Sequence, residues 1–140
     1  MANAIYNNAK EELLKAGINL ASDTIKVMLV TSSYTPNVDT HDFKDDITNE
    51  VTGTGYTAGG ATLASKAVTQ DDANDRGAFD AADTTWGSST ITARGAVVYK
   101  DTGTPSTSPV ICYFDFTTDQ ISNNGNFTIQ WHANGILLLT

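Results

Sequence analysis

The sequence predicts a mainly β fold, an antiparallel β-sandwich or jelly-roll-like arrangement with one N-terminal α-helix. Three observations predict it. Charged residues make up 17% of the 140-residue chain and hydrophobics 40%. Ordinary globular domains carry ~25% charge, so here solubility falls to Thr, Ser, Asn and Asp. Thr and Val favour strands, and Asn, Asp and Gly make turns. Finally, the apolar residues beyond residue 22 come in short runs bounded by turn formers, and only the first segment has helical periodicity.

That first segment predicts a helix over about residues 3–16. Ile5, Ala9 and Leu13 fall on one stripe with Tyr6 and Leu14 beside it, and Gly17 stands where a helix stops. A strand-rich body over 22–140 follows. Its runs are Thr24 to Thr31, Thr62 to Thr69, Gly77 to Ala81, Thr90 to Lys100, Pro109 to Phe116, Asn126 to Trp131 and Gly135 to Leu139. In the first run Ile25, Val27 and Leu29 share a face and Lys26 points away. Met28 and Val30 on that other face are apolar too, so the strand is expected to be covered on both sides, by the N-terminal helix or by another chain. Phe127, Ile129 and Trp131, with Thr128 and Gln130 opposite, are core candidates.

The turn signals are Asp101 to Pro109, and Ser122 to Asn126, whose Asn-Gly pair is of hairpin type. The longest connection, Ser32 to Thr57, exceeds the ~12–15 residues at which loops in compact domains become uncommon. His41 to Ile47 is expected to supply it with a helical turn capped by Thr40 or Asp42. No internal repeat or dividing linker is present, so residues 1–140 read as a single domain that buries roughly 68% of its unfolded surface.

A net charge of −8, with only eight Lys and Arg, disfavours duplex nucleic acid and anionic membrane surfaces as partners. The single cysteine, Cys112, sits in the apolar run 109–116 and reads as a small buried hydrophobe. Met1 to Gly17 lacks the character of an export signal and no apolar run approaches ~18 residues, so a chain made and used without secretion is expected.

Catalytic chemistry finds little support. His41 and His132 have Asp42 and Asp115 as conceivable partners, but no Gly-x-Ser-x-Gly elbow accompanies them. Asp71, Asp72, Asn74, Asp75, Asp80 and Asp83 place oxygen ligands at short spacing. They meet neither the glycine nor the bidentate-Glu requirement of an EF-hand, so the Asp71–Asp83 region reads as a solvated hairpin tip, with a loose calcium site as the alternative. Gly53, Gly55, Gly59 and Gly60 lack the helix and Lys of a phosphate loop and read as turn or close-approach glycines. Tyr34, Tyr56 and Trp86 lack the cations that single-stranded nucleic acid would require. No enzyme class and no cofactor is expected.

Five blocks in order, Asp23 to Pro36, Asn49 to Gly60, Ala82 to Trp86, Thr90 to Arg94 and Asn126 to Trp131, resemble a family of small virion structural proteins of tailed bacteriophages. The resemblance spans nearly the whole chain. It implies a non-enzymatic virion component, with capsid decoration (cement) as its first role and a tail, neck or baseplate position as the second. It also implies the major capsid protein or other virion proteins as partners, and location in the virion and, during assembly, the host cytoplasm. Two segments are candidate contact surfaces: the long loop bearing Tyr34, Pro36 and Phe43, which otherwise folds back on its own core, and the C-terminal Gly135 to Leu139, with Ile136 and Leu138. A C-terminal strand crossing between chains would give a symmetric homo-oligomer such as a trimer. A receptor- or glycan-binding module using Trp86 with Asp83 is the alternative from another class.

Overall fold

The computed structural model describes residues 3–140. It is mainly β, with two antiparallel sheets facing each other and one helix near the N-terminus. The chain runs β1 (Ala4–Ile5), α1 (Asn7–Leu14), β2 (Ile25–Val30), β3 (Ala61–Thr62), β4 (Ala67–Asp71), β5 (Arg76–Asp80), β6 (Thr84–Lys100), β7 (Val110–Ile129) and β8 (Leu137–Leu139). The large sheet has the order β1-β7-β6-β2-β3 and the small one β4-β5-β8.

The two-faced apolar pattern of β2 governs the interior. Val27 pairs with Val98 and Val98 with Cys112, and all three point between the sheets, joined there by Ile25, Leu29, Phe79, Phe127, Ile129 and Trp131. One residue along, Met28 pairs with Val97 and Val97 with Tyr113. These point the other way into a second core with Tyr6, Val30, Tyr34, Ile47, Tyr99 and Val110. Each such side chain, fully buried, contributes about 1.5–3 kcal/mol of transfer free energy. The second core is roofed by the loop after β2 rather than by the helix. Only Tyr6, the residue before α1, reaches it; Ile5, Ala9 and Leu13 pack on the first core.

The helix is shorter than its sequence signal. Ala4 and Ile5 pair with Tyr113 and Cys112 as the sheet edge, and Tyr6 N–H donates to Ile111 O. At the other end Ala16, not Gly17, takes the left-handed conformation (φ 60°), and Gly17 N–H returns to Glu12 O at 2.7 Å. Leu14 lies off the stripe and is 91% exposed.

Two other expectations are corrected. The run 62–69 is not one strand: it leaves the large sheet after Thr62, turns through Ser65 (φ 53°) and enters the small sheet at Ala67. Ser122 to Asn126 is no hairpin either, because it lies inside β7, a single bent strand joining the predicted runs 109–116 and 126–131. Asn124 (φ 49°) there accommodates a register irregularity between β6 and β7. The misalignment is pinned by Ser89, whose Oγ lies 2.8 Å from Ser122 Oγ and 3.0 Å from both Trp86 O and Gly125 O. The loop 101–109 does join β6 to β7, as its turn signal predicts.

Of the glycines in 53–60, three show close backbone approach, among them Gly55, where a Cβ would stand 2.8 Å from Ser89 Cα. A Cβ on Gly60 (φ 77°) would stand 1.9 Å from Val27 O, and one on Gly53 (φ 155°) would stand 2.3 Å from Thr90 O. They let the long loop lie directly against β2 and β6.

Candidate assembly surface

The loop from Ser32 to Thr57 is closed onto its own chain. Tyr34 is 4% exposed and Pro36 is buried, while Phe43 is half-buried beside a 3₁₀ turn, Lys44–Asp46. That turn is the one its sequence predicts, but its cap is neither Thr40 nor Asp42: the Asp46 carboxylate reaches back to accept the N–H groups of Asp42 (2.9 Å) and Phe43 (3.0 Å). The loop is tied to α1 by Asn7 N–H to Val38 O (3.0 Å), by Asn7 Nδ2 to Asp39 (2.7 Å) and by Asn8 Nδ2 to Asp42 O (3.1 Å).

Beneath it runs a hydrogen-bonded chain. Asn37 N–H donates to His41 Nδ1 (3.3 Å), which makes that nitrogen an acceptor; Tyr34 O–H therefore donates to it (2.9 Å) and Tyr6 O–H to Tyr34 (2.7 Å). Burial pushes the Tyr34 phenol up to about 12, and burial with the Tyr34 bond pushes Tyr6 further up. His41 is thus a structural partner of a buried tyrosine pair. Tyr34 and Pro36 give no area to a partner in this conformation, and the fold-back reading of their segment is the one the structure adopts.

The opposite end of the sandwich is open. A groove of about 510 Å³ runs between α1 and the small sheet. Its floor is the inner face of the sheet, where Val68, Phe79 and Leu137 stand in one cross-strand row and Leu139 follows along β8. Its wall is Leu13 and Leu14 with Leu20, and among the described residues Lys10 is the sole ionisable group lining it. Leu14 is 91% exposed, Leu139 81% and Val68 54%, whereas Phe79 at 2% anchors the floor to the core. Of the C-terminal contact candidates, Leu138 lines this groove, but Ile136 is buried and held by its N–H to Phe79 O (2.7 Å). The sequence reading included Leu139 in its C-terminal contact segment but gave Leu14 and Val68 no such role. The signal for these two is that Leu14 sits beside the helical stripe and that Val68 interrupts a polar stretch, Ser65 to Asp72.

A second open feature is the far edge of β7. On the side away from β6, β7 pairs with β1 through Cys112 and Tyr113, and among the described residues no strand lies beside Phe116 to Ile129 there. Val110 to Trp131 contains no Lys, Arg or Pro to blunt that edge. Ile121, 71% exposed, stands on its solvent face.

The remaining candidates are structural. Trp86 is 6% exposed and packs on Phe127, so it offers no open ring face to a glycan, while Asp83 stays exposed and accepts Trp131 N–H (3.0 Å). His132 Nδ1 accepts Asn134 N–H (3.1 Å) in the turn before β8. Asp71 bonds Asn74 and Arg76 (both 2.8 Å) across the β4–β5 hairpin, which is the hairpin tip its sequence predicts. Among the described residues no three His, Cys, Asp or Glu side chains converge on a point, and no helix is long and apolar enough to cross a membrane. Cys112 is buried, which pushes its thiol up to about 12. Comparisons with protein-family models, curated proteins and solved structures return no match for this chain.

Proposed function

We propose that the chain is a non-enzymatic structural component of a tailed-phage virion, and within it a capsid decoration protein that binds and stabilises the assembled head. The observation that carries the reading is the open apolar groove. Three large aliphatic side chains are held in solvent at one place, with Lys10 beside them, and such a patch marks an interaction surface. The order of sequence blocks supplies the virion context. The partner is then the major capsid protein or another virion protein, the chain acts as a homo-oligomer, and it is made in the host cytoplasm before joining the virion.

The energetics suit this role. A partner that binds only the assembled shell stabilises it by mass action, about 2.7 kcal/mol per site at a hundredfold excess over Kd. Repeated around a shell, a modest patch is enough. The net charge of −8 keeps free copies soluble before docking.

The test mixes purified chain with capsids lacking it and locates it by electron microscopy. Regular density over the shell is the expected result. Density confined to one vertex or to the tail would move the chain to the neck, tail or baseplate, and no density on any virion part would refute the reading.

A further inference from the structure

The described chain exposes four large hydrophobic side chains, and their distribution is uneven. Leu14, Val68 and Leu139 line one groove, while Ile121 stands alone on the solvent face of β7 beside its unpaired edge. Ile121 pairs across the ribbon with the exposed Thr92, and the next pair, Ile91 with Ser122, points inward. Ile121 has 71% of its surface in solvent and stands at a shallow concavity of about 310 Å³ that it lines with Phe116 and Phe127.

The charges beside these two features are opposite. Among the described residues Lys10 is the one ionisable group lining the groove, and its ammonium bonds Asn7 Oδ1 (3.1 Å) rather than a carboxylate. Asp119 precedes Ile121 by two residues, on the same face by strand alternation. It is 45% exposed, with Arg94 Nη1 at 3.9 Å. In a chain with twice as many acidic as basic residues, a cation at the lip of an apolar groove attracts the acidic surface of another copy. An apolar knob with a carboxylate next to it satisfies both.

We propose that the groove of one copy receives Ile121 of a second copy, with Asp119 of the second copy facing Lys10 of the first. The two patches are different surfaces, so the contact is heterologous: each copy offers a knob to one neighbour and a groove to the next. Such a contact closes into a ring when the rotation per copy allows it and otherwise runs on as a filament. The C-terminal strand contributes by lining the groove with Leu139, not by crossing between chains.

The pairing rests on the reading of the chain as an assembly component, and it is tested without capsids. Sedimentation velocity of the full chain over a concentration series is expected to show species larger than a dimer. Ile121→Asp and Leu139→Asp, both at exposed positions, are each expected to weaken association by at least about tenfold while near-UV circular dichroism stays native. The decisive sample mixes the two variants. One retains its groove and the other its knob, so the mixture forms a one-to-one dimer and nothing larger. Lys10→Glu weakens association, and adding Asp119→Lys restores it.

A wild-type chain monomeric throughout the series overturns the pairing, as does a folded Ile121→Asp chain that associates normally, or a variant mixture that stays monomeric. Association lost with Leu139→Asp but kept with Ile121→Asp would show groove meeting groove in a two-fold dimer, which also overturns it. A monomer that still decorates capsids removes the pairing alone; a ring that binds no virion part removes the virion reading alone.

Discussion

The two ends of this sandwich present apolar surface in opposite ways. On one side Met28, Val30, Val97 and Tyr113 are covered by a long loop that supplies Tyr34 and Ile47 and locks itself down through Tyr6, Tyr34 and His41. On the other, Val68, Leu137 and Leu139 line a sheet face that α1 covers only in part. Composition separates them in part, since four tyrosines lie in the sealed core and Phe79 is the aromatic of the open face. What also separates them is length of covering chain: the first has about twenty-five residues of loop, the second a helix of 8 residues that ends at Leu14. A loop that finishes the interior of its own domain adds stability, whereas a face left unfinished leaves area for a neighbour.

The comparison breaks most easily at its sealed side. Met28→Ala removes a 1% exposed side chain from the second core and is expected to cost about 2–5 kcal/mol in urea unfolding. A cost below about 1 kcal/mol would mean that the loop is not a true roof. Tyr34→Phe is next: it strips Tyr6 O–H of its acceptor in a fully buried site and is expected to cost about 1–3 kcal/mol. Tyr6→Phe removes the donor of the same bond and is expected to cost less, about 0.5–1.5 kcal/mol. Equal costs would contradict the direction of donation that Asn37 N–H fixes.

At the rim of the sealed face, Asp101 accepts Gly103 N–H (2.9 Å) and pairs with Lys26 (3.1 Å), and these hold its carboxyl below the ordinary range. A lowered folded value gives stability that is present above the unfolded value and lost as pH falls through the folded one. Wild type is therefore expected to exceed Asp101→Asn by about 0.5–1 kcal/mol at neutral pH, with the gap closing below about pH 4. A gap constant with pH would assign the effect to the turn and not to the charge. The smallest effect belongs to the open side: Leu14→Ser and Leu139→Ser are expected to change stability by no more than about 0.5 kcal/mol. A loss above about 1 kcal/mol would show that the groove is part of the core.

Much of the fold was legible in the sequence for reasons the structure makes plain. Period-two alternation sorted Ile25, Val27 and Leu29 from Met28 and Val30, and the two sets enter separate cores. Phe127, Ile129 and Trp131 point inward as their stripe implies. What was not legible is which covering element meets which face, because apolar pattern reports burial and not the identity of the cover. The Asn124-Gly125 pair misled for a related reason. A left-handed residue serves a hairpin turn or a kink within a strand equally well, and Ser89, some 36 residues away, settles the matter through its bond to Gly125 O. The open groove left the faintest trace, since Leu14, Val68 and Leu139 become a patch only once β4, β5, β8 and α1 are placed side by side.

The pairing of β1 with β7 sets an order of events during synthesis. Ala4 and Ile5 meet Tyr113 and Cys112, residues that leave the ribosome about a hundred positions later, and at ~5–20 residues per second that delay is on the order of 5–20 s. Until then Tyr6 has no Ile111 carbonyl to receive its N–H, and the loop has no complete sheet to lie on. The nascent chain therefore cannot complete its second core until Val110 to Tyr113 have emerged.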